Sequence, residues 1–445
     1  MSLPPAIAHP VRLLPLTFLA LIIVGTGLLL LPVARCSDDV PALMPALFTS
    51  VSAVTFTGLA TVDTAPFWTP TGRVIILLLV QIGGLGIMTL ATLPGLLVGG
   101  RLGLRTRLIA QAEMHAVSLG EVRSLLRRVA LTTLFFEAVI AVISTIRFRV
   151  LYFDDVPTAV WHGLFHSVMA FNNAGFALQS DSLVQYAGDA WLIFPICVAV
   201  FAGAIGFAVM AELFKGWRKP RLWTIHTRLT VWGSIALFVI AAAAFLIAEW
   251  NNPGTLGATG RWHKVVTGVE GGIMSRSGGF NSFDYAQVRP ETLGISTIMM
   301  FIGGGSASTA GGIKVTTFLL LAYVIRAKLR GDPEVMIGKR SISSASIRQA
   351  LTIALLAVML VACTTVLILA MTDFSLGQVL LECVSAVGTV GLSTGITPKL
   401  PANAQVVLMV LMFVGRVGTI TAASALAMCR RAPRYQLPEE RPIIG

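Results

Sequence analysis

The sequence predicts an all-α membrane protein of eight transmembrane helices with four re-entrant pore loops, forming four helix–pore-loop–helix repeats in a pseudo-fourfold arrangement. The first reason is composition: 55% of the 445 residues are hydrophobic and 12% are charged, against about 25% charged in soluble domains. The second is a set of long apolar segments, and the third is a fourfold internal repeat. A chain this apolar lacks the polar surface that soluble cores need. This excludes a water-soluble enzyme, a disordered chain and a nucleic-acid-binding protein.

Eight apolar segments reach the length of about 20 residues that a bilayer-spanning helix needs. They lie near residues 13–34, 74–98, 129–146, 190–213, 229–248, 293–325, 350–371 and 404–428. Alternate polar segments are basic, and together they carry 22 of the 33 basic residues and a net charge of +15, against −3 for the rest of the chain. Because basic loops stay in the cytoplasm, both termini are predicted to be cytoplasmic.

The four outer connections share one pattern, a short apolar stretch that ends in a small, polar, glycine-containing segment. They read "ALFTSVSAVTFTGL", "GLFHSVMAFNNAGF", "VTGVEGGIMSRSGGF" and "VLLECVSAVGTVGL". Aligning their last glycines brings Gly58, Gly175, Gly279 and Gly391 into register, at separations of 117, 104 and 112 residues. A period this long indicates a duplicated domain rather than a solenoid.

The repeat gives a predicted division of the whole chain into alternating membrane and cytoplasmic parts. Residues 1–98 form the first repeat, 99–128 a cytoplasmic loop, 129–214 the second repeat, 215–228 a cytoplasmic loop, 229–326 the third repeat, 327–348 a cytoplasmic loop, 349–429 the fourth repeat and 430–445 a cytoplasmic tail.

Four non-helical loops at membrane depth have to avoid lipid, because each unpaired backbone group there costs several kcal/mol. They are therefore predicted to converge on a water-filled axis, where backbone carbonyls can replace the water shell of an alkali cation. The negative C-terminal ends of the half-helices favour a cation over an anion. The predicted selectivity filter consists of Thr55, Phe56, Thr57, Gly58, Asn172, Asn173, Ala174, Gly175, Arg276, Ser277, Gly278, Gly279, Gly388, Thr389, Val390 and Gly391.

The apolar segment 293–325 is too long for one straight span. Its 33 residues would make a helix about 50 Å long, against a hydrocarbon core of about 30 Å. Its middle contains five glycines, each of which costs a helix about 1 kcal/mol relative to alanine. A loop that plugs the pore below the filter is predicted, and a glycine-rich packing face is the alternative. The residues predicted to form this plug are Gly303, Gly304, Gly305, Ser306, Ala307, Ser308, Thr309, Ala310, Gly311 and Gly312.

Four charged residues fall inside the predicted membrane repeats. Arg416 lies midway along the last apolar segment, where a cation generally faces the bundle interior or water; it is predicted to contact the glycine-rich loop as a gating residue, with a structural tie between helices as the alternative. Arg276 is expected to point behind its loop, with Glu270 as a candidate partner. Glu382 has the same offset as Glu270 in the fourth repeat, and a functional or a purely supporting role remains open for both.

These motifs resemble the Trk/Ktr/HKT superfamily of potassium transporters, and most closely the membrane (pore) subunit of bacterial Ktr systems. "FNNAGF" and "GTVGLSTG" are distinctive, "SRSGGF" is close to the usual form, "TFTGL" is less specific, and "GGIK" and "GRVGT" fit the gating segments. The resemblance implies potassium uptake across the bacterial plasma (inner) membrane by gated flux down the electrochemical gradient, with sodium stimulation common in the family. It also implies that residues 303–312 form an intramembrane gating loop and that Lys314, in "GGIK", is a further gating residue.

The resemblance further implies a homodimer that sits on a cytosolic ring of regulatory subunits, with nucleotide bound only by that ring. Potassium is then the substrate, sodium a second candidate ion, and no cofactor is held covalently. The alternative function is a sodium- or proton-coupled potassium symporter. Coupled transport usually relies on inverted repeats, whereas these repeats enter from one side. An enzyme is not expected, since no convergent catalytic set is present.

Three other titratable residues receive plainer interpretations. His162 and His166 have i, i+4 spacing, but no third ligand accompanies them, so a metal site is not favoured. Glu137 is expected to pair with a polar neighbour rather than to belong to a proton relay.

Overall fold

The computed structural model describes residues 10–36, 43–90, 119–338 and 340–418, and this part of the chain is mostly helical. Four units follow one another, each with an outer helix, a short helix and an inner helix. The outer helices are Pro10–Leu29, Leu119–Leu151, Ile225–Glu249 and Ser344–Leu369. The short helices are Leu43–Thr55, Val156–Phe171, Arg261–Met274 and Leu376–Gly388. The inner helices are Pro70–Leu90, Ala190–Ile205, Pro290–Phe301 and Ala402–Phe413.

Smaller elements complete the described part of the chain. Further α-helices span Thr64–Phe67, Phe207–Gly216 and Val315–Arg330, and a π-helical turn spans Val414–Gly418. Single 3-10 turns span Pro32–Ala34, Val184–Tyr186, Pro220–Leu222, Tyr285–Gln287 and Thr397–Lys399. Strand Met336–Ile337 pairs with Arg340–Ser341 in an antiparallel hairpin.

The four units are arranged in a closed cycle. Each outer helix packs against the short helix of its own unit. Each inner helix packs against the short helix of the next unit, and the last inner helix, Ala402–Phe413, packs against the first short helix, Leu43–Thr55. The short helices are mostly buried at this centre, so the cycle brings their C-terminal ends towards one place.

Local signals explain where two of the short helices begin. Ser375 caps the fourth one through a capping box with Gln378, and Asp155 caps the second one by accepting from the backbone N–H of Thr158 at 2.9 Å. Such caps satisfy backbone groups that a helix start leaves unpaired. The Thr158 hydroxyl and backbone N–H hold the pKa of the Asp155 carboxyl below its ordinary value.

By length and composition, three described helices could each cross a membrane: Arg127–Leu151, Ile225–Glu249 and Ser344–Leu369. The pair Ala190–Ile205 and Phe207–Gly216 would add a fourth, but it is bent by 104°. The sequence predicts one apolar span at 190–213 with glycines that serve packing, whereas the structure breaks this segment at Gly206. The φ of Gly206 is +93°, a conformation that residues with a side chain rarely adopt.

Other predicted segment boundaries differ from the helix ends in the structure or lie outside the described residues. The outer helix of the second unit begins at Leu119, inside the predicted loop 99–128, because its polar first turns extend the helix beyond the apolar segment. The chain leaves helical geometry between Phe301 and Val315, where the glycines predict a break. The ends of the predicted spans 74–98 and 404–428, most of the loop 99–128 and the tail 430–445 lie outside the described residues.

Candidate functional site

The short helices end in four turns, which we call the glycine turns: residues 55–58, 172–175, 276–279 and 388–391. In the first, second and fourth turns the second residue is left-handed, with φ of +59° at Phe56, +57° at Asn173 and +46° at Thr389. The amide that follows bonds five residues back, as in Thr57 to Ser52 at 2.9 Å. This is the Schellman ending of a helix, and it turns the chain sharply.

The last residue of every turn is one of the four aligned glycines, and each has positive φ: +82° at Gly58, +66° at Gly175, +68° at Gly279 and +99° at Gly391. Glycine alone adopts this region freely. The sequence register therefore corresponds to a shared backbone conformation.

The four glycines also touch one another in order. A β-carbon built on Gly58 would lie 3.0 Å from the Cα of Gly175, and one on Gly175 would lie 3.1 Å from the Cα of Gly279. The same construction on Gly279 comes 3.1 Å from the Cα of Gly391, and on Gly391 it comes 3.3 Å from the Cα of Gly58. The glycine turns thus close a ring of backbone.

The third turn departs from the other three. Its left-handed residues are Gly278, with φ of +111°, and Gly279. A parallel bridge joins Gly278 to Ala174 of the second turn. The ring is therefore built from four similar turns that are not identical, in keeping with their different sequences.

Residues 303–312, which we call the central loop, contact this ring. The Thr309 hydroxyl accepts from the Nδ2 of Asn173 at 2.5 Å and donates to the carbonyl of Phe171 at 3.3 Å. Gly311 packs against Gly388 and Thr389 of the fourth turn, where a β-carbon on Gly311 would lie 2.5 Å from the Gly388 carbonyl oxygen. The central loop thus reaches from the second turn to the fourth.

Backbone hydrogen bonds also attach the central loop to the broken inner helix of the second unit. The amide of Gly305 donates to the carbonyl of Ala204 at 2.8 Å, and that of Thr309 donates to Gly203 at 3.3 Å. In return, the amide of Phe207 donates to Ala307 at 3.4 Å. The sequence does not predict the bend at Gly206, because a glycine in "AGAIGF" is equally typical of close packing between straight helices.

Arg416 contacts both the central loop and the first glycine turn. Its Nη1 donates to the carbonyl of Thr309 at 2.5 Å, and its guanidinium lies 4.6 Å from the ring centroid of Phe56. The residue is 3% exposed, and its Nε and Nη2 have no hydrogen-bond partner within the described ranges. Lys314 lies nearby and donates to the carbonyl of Ala310 at 2.7 Å.

Arg276 points away from the ring, behind its own turn. It is 2% exposed and donates to the carbonyls of Gly303 at 2.8 Å and Ser234 at 3.3 Å, with its guanidinium 4.5 Å from the Phe238 ring centroid. The expected pairing with Glu270 is wrong. Six residues correspond to about 240° around a helix, so the two side chains leave on different faces.

Glu270 and Glu382 instead hold the segment that follows each glycine turn. Glu270 accepts from the Ser282 hydroxyl at 2.6 Å. Glu382 accepts from Ser393, from the Thr394 amide at 3.3 Å and from the Thr397 hydroxyl at 2.8 Å. Both carboxylates are buried, and their hydrogen bonds support the segment after each turn.

Other polar groups near the ring are accounted for by local contacts. His166 Nδ1 lies 2.8 Å from the carbonyl of His162, and the two rings stack at 5.9 Å. No group of three or more His, Cys, Asp or Glu residues that could hold a metal ion occurs in the described part of the chain. Glu137 pairs with polar neighbours, Gln81 and Asn172, as expected.

Four backbone turns that meet at one centre, with a buried glycine-rich loop and a buried arginine against them, are typical of a cation transport protein. The chain is a member of the TrkH family, described as "Cation transport protein", whose sequence model matches residues 2–433. The resemblance noted from the motifs is thereby confirmed, and the family is one of transporters rather than enzymes.

Individual relatives cover almost the whole chain. Ktr system potassium uptake protein B of Bacillus subtilis (strain 168) is 36% identical over 94% of this chain and 93% of its own length. The protein of the same name in Vibrio alginolyticus is 32% identical over 98% of this chain and 94% of its own length. The solved structure of the potassium transporter TrkH from Vibrio parahaemolyticus shares the fold, with a TM-score of 0.70 at 18% identity, over 95% of this chain and 85% of that one.

Proposed function

We propose that this chain is the ion-conducting subunit of a Ktr-like system for potassium uptake across the bacterial plasma membrane. The observation that carries the proposal is the closed ring formed by Gly58, Gly175, Gly279 and Gly391. The identity of the ion is proposed from relatives that are named as potassium uptake proteins and are 36% and 32% identical to this chain over nearly its full length. The glycine turns are then the selectivity filter.

In this proposal the filter carbonyls replace part of the water shell of a potassium ion. Three of the short helices end in the same motif, so their partial negative charges are directed to the ring. With one aligned glycine per turn and a divergent third turn, we propose fewer well-formed ion sites than in a channel with four identical filters. Rubidium is then accepted, and some sodium.

The central loop is proposed as the gate. It lies against the second and fourth turns, and the basic residues Arg416, Lys314 and Arg276 each donate to one of its carbonyls. A cation that leaves the filter would meet both the backbone of the loop and this positive charge. Moving the loop removes the obstruction, and the membrane potential then drives uptake at about 2.3 kcal/mol per charge per 100 mV.

The finer architecture is part of the same proposal. Eight spans, four re-entrant loops and the divisions set out above give a multi-pass protein with both termini in the cytoplasm. The cyclic packing of the four units supports this arrangement. The relatives' designation as parts of a Ktr system supports a partner subunit, which we propose to be a nucleotide-binding cytosolic ring beneath a homodimer.

Sodium involvement is the second candidate. A relative that is 31% identical over 98% of this chain is named potassium/sodium uptake protein NtpJ of Enterococcus hirae. This name favours sodium either as a stimulating ion or as a co-transported one. The coupled symporter therefore stands as the alternative to passive, gated flux.

The two alternatives differ in what drives the current. Purified protein in liposomes is expected to give a current that reverses at the potassium Nernst potential, whatever sodium or proton gradient is imposed. Liposomes without protein are the control for leak. A reversal potential that moves with the sodium or proton gradient would instead establish obligatory coupling.

Replacing Arg416 with alanine is expected to raise potassium flux about tenfold in the absence of any partner. The change removes the bond to Thr309 and the buried charge beside the central loop. A charged hydrogen bond is worth about 1.5–3 kcal/mol, and about 1.4 kcal/mol corresponds to a tenfold change. Rubidium uptake into proteoliposomes measures the effect.

The matched control is Arg147→Ala, which breaks a bond of 2.8 Å between Arg147 and Asp189 in a different region. It is expected to leave flux unchanged. If Arg416→Ala merely prevents assembly, as judged by size-exclusion chromatography, Arg416 is a structural tie and not a gate contact.

A further inference from the structure

A buried polar cluster joins the second glycine turn to two helices of different units. Glu137 lies on the outer helix Leu119–Leu151, and Gln81 lies on the first inner helix, Pro70–Leu90. The Nδ2 of Asn172, the first residue of the turn, donates to Glu137 Oε1 at 3.1 Å. The Nε2 of Gln81 donates to Glu137 Oε2 at 3.1 Å.

The carboxylate of Glu137 is enclosed by protein. Glu137 is 4% exposed and Asn172 is 1% exposed. No cation pairs with Glu137 among the described residues, and both of its oxygens accept from amide groups. A buried carboxyl group is costly unless its oxygens are hydrogen-bonded, and Glu137 makes these bonds to two amide groups, one of which belongs to the second glycine turn.

The orientation of Asn172 is fixed from several sides. Its Nδ2 also lies 2.9 Å from the Val168 carbonyl, and its backbone N–H bonds the same carbonyl at 3.1 Å. Its Oδ1 occupies the space that the missing side chain of Gly84 leaves free. The amide group therefore cannot turn over, because the oxygen fits against Gly84 and the nitrogen faces acceptors.

The turn is held on its other side by the central loop. Asn173, the next residue, is left-handed and donates to the Thr309 hydroxyl. The backbone between these two contacts carries the carbonyl of Asn172. Among the described carboxylates, only Glu137 accepts a hydrogen bond from a side chain of a glycine turn. Glu270 and Glu382 instead accept from residues that follow their glycine turns.

We infer that Glu137 is a positioning residue for ion selectivity: it holds Asn172 so that the second glycine turn keeps its shape in the ring. Gln81 supports it from the preceding unit, which ties the first inner helix to the second turn. The inference rests on the proposed function, because it assigns selectivity to the glycine turns.

A pair of substitutions separates positioning from charge. Glu137→Gln keeps one oxygen as the acceptor for Asn172. Its new amide can donate to Gln81 once the Gln81 amide is turned over, at the loss of the 3.1 Å bond from Asn172 Nδ2 to Gln81 Oε1. Glu137→Ala removes both contacts. We expect Glu137→Ala to lower the preference for rubidium over sodium about tenfold in proteoliposome uptake, and Glu137→Gln to stay within threefold of the unchanged protein.

The matched control is Ser167→Ala, which removes a hydrogen bond from Ser167 to the backbone carbonyl of Glu137. It loosens the outer helix Leu119–Leu151 against the short helix Val156–Phe171 without removing a contact of the Asn172 side chain, and we expect unchanged selectivity. An equal loss of selectivity in all three variants would mean that the cluster serves stability alone, and would overturn the inference. So would a Glu137→Ala protein that is as selective as the unchanged one, or a Glu137→Gln protein as impaired as Glu137→Ala.

If Glu137→Ala does not assemble, the positioning role of Glu137 is tested by substituting Asn172 instead. Asn172→Asp sets a second carboxylate against Glu137 and is expected to lower selectivity, and adding Glu137→Gln is expected to recover at least threefold of the loss. Absence of recovery would overturn the inference. If the protein without any substitution shows no preference for rubidium over sodium, the proposed function is overturned as well. This result distinguishes failure of the proposed function from failure of the inference alone.

Discussion

Replacing Gly279 with serine is expected to reduce potassium uptake at least tenfold and to abolish the preference for rubidium over sodium. With φ of +68°, any side chain at this position adopts a left-handed conformation that costs roughly 1–2 kcal/mol. The added β-carbon would also overlap the Val390 carbonyl oxygen and lie 3.2 Å from the Cα of Gly175. Backbone atoms cannot rotate away, so the ring has to open.

The control for this substitution is Gly294→Ala, on the inner helix Pro290–Phe301 of the same unit. A β-carbon there meets no atom within 4 Å, and alanine favours a helix by about 1 kcal/mol over glycine. Normal uptake is expected. Both variants are compared by uptake into proteoliposomes at equal protein content. Undiminished rubidium/sodium discrimination in Gly279→Ser would rule out the third turn as part of the filter.

Deleting Ser306 to Ala310 is expected to have the opposite effect, raising flux about tenfold or more and removing its regulation. The deletion takes away the contacts of Thr309 with the second turn and with Arg416. The chain can be rejoined, because the two ends of the central loop lie side by side: the amide of Gly303 donates to the Ile313 carbonyl at 2.9 Å, and a parallel bridge joins Ile302 to Ile313.

Flux through this deletion variant is measured with and without added cytosolic partner, and compared with Ser306→Ala as a control that keeps the loop intact. The control is expected to behave like the unchanged protein. Flux in the deletion variant that still depends on the partner, at the unchanged level, would show that the gate lies elsewhere in the molecule.

The glycine turns and the central loop could be predicted because their signals are local. One glycine in the same place in four segments marks a shared left-handed position, and residues 303–312 hold too many glycines for a stable helix. The contact between Arg416 and this loop also followed from general physics, since a cation at that depth has to find carbonyl oxygens.

The remaining features depend on segments that are distant in the chain. The bend at Gly206 is stabilised by the central loop about 100 residues later, so the sequence around Gly206 gives no sign of it. Arg276 finds its acceptors at Ser234 and Gly303 rather than at the nearby Glu270. The partners of Glu137 lie on two other helices, which only the packing of the units brings together.

The exchange of backbone hydrogen bonds between the central loop and the bend at Gly206 has a consequence for how the passage opens. Neither segment can shift alone without leaving amides and carbonyls unpaired inside an apolar bundle, at a cost of several kcal/mol for each group. They therefore form one cooperative unit, in which the hydrogen bonds between the two segments break together and water hydrates the freed amides and carbonyls. Conduction in single molecules is then expected to switch between two levels, all or none, and to slow when osmolytes withdraw water from the bundle.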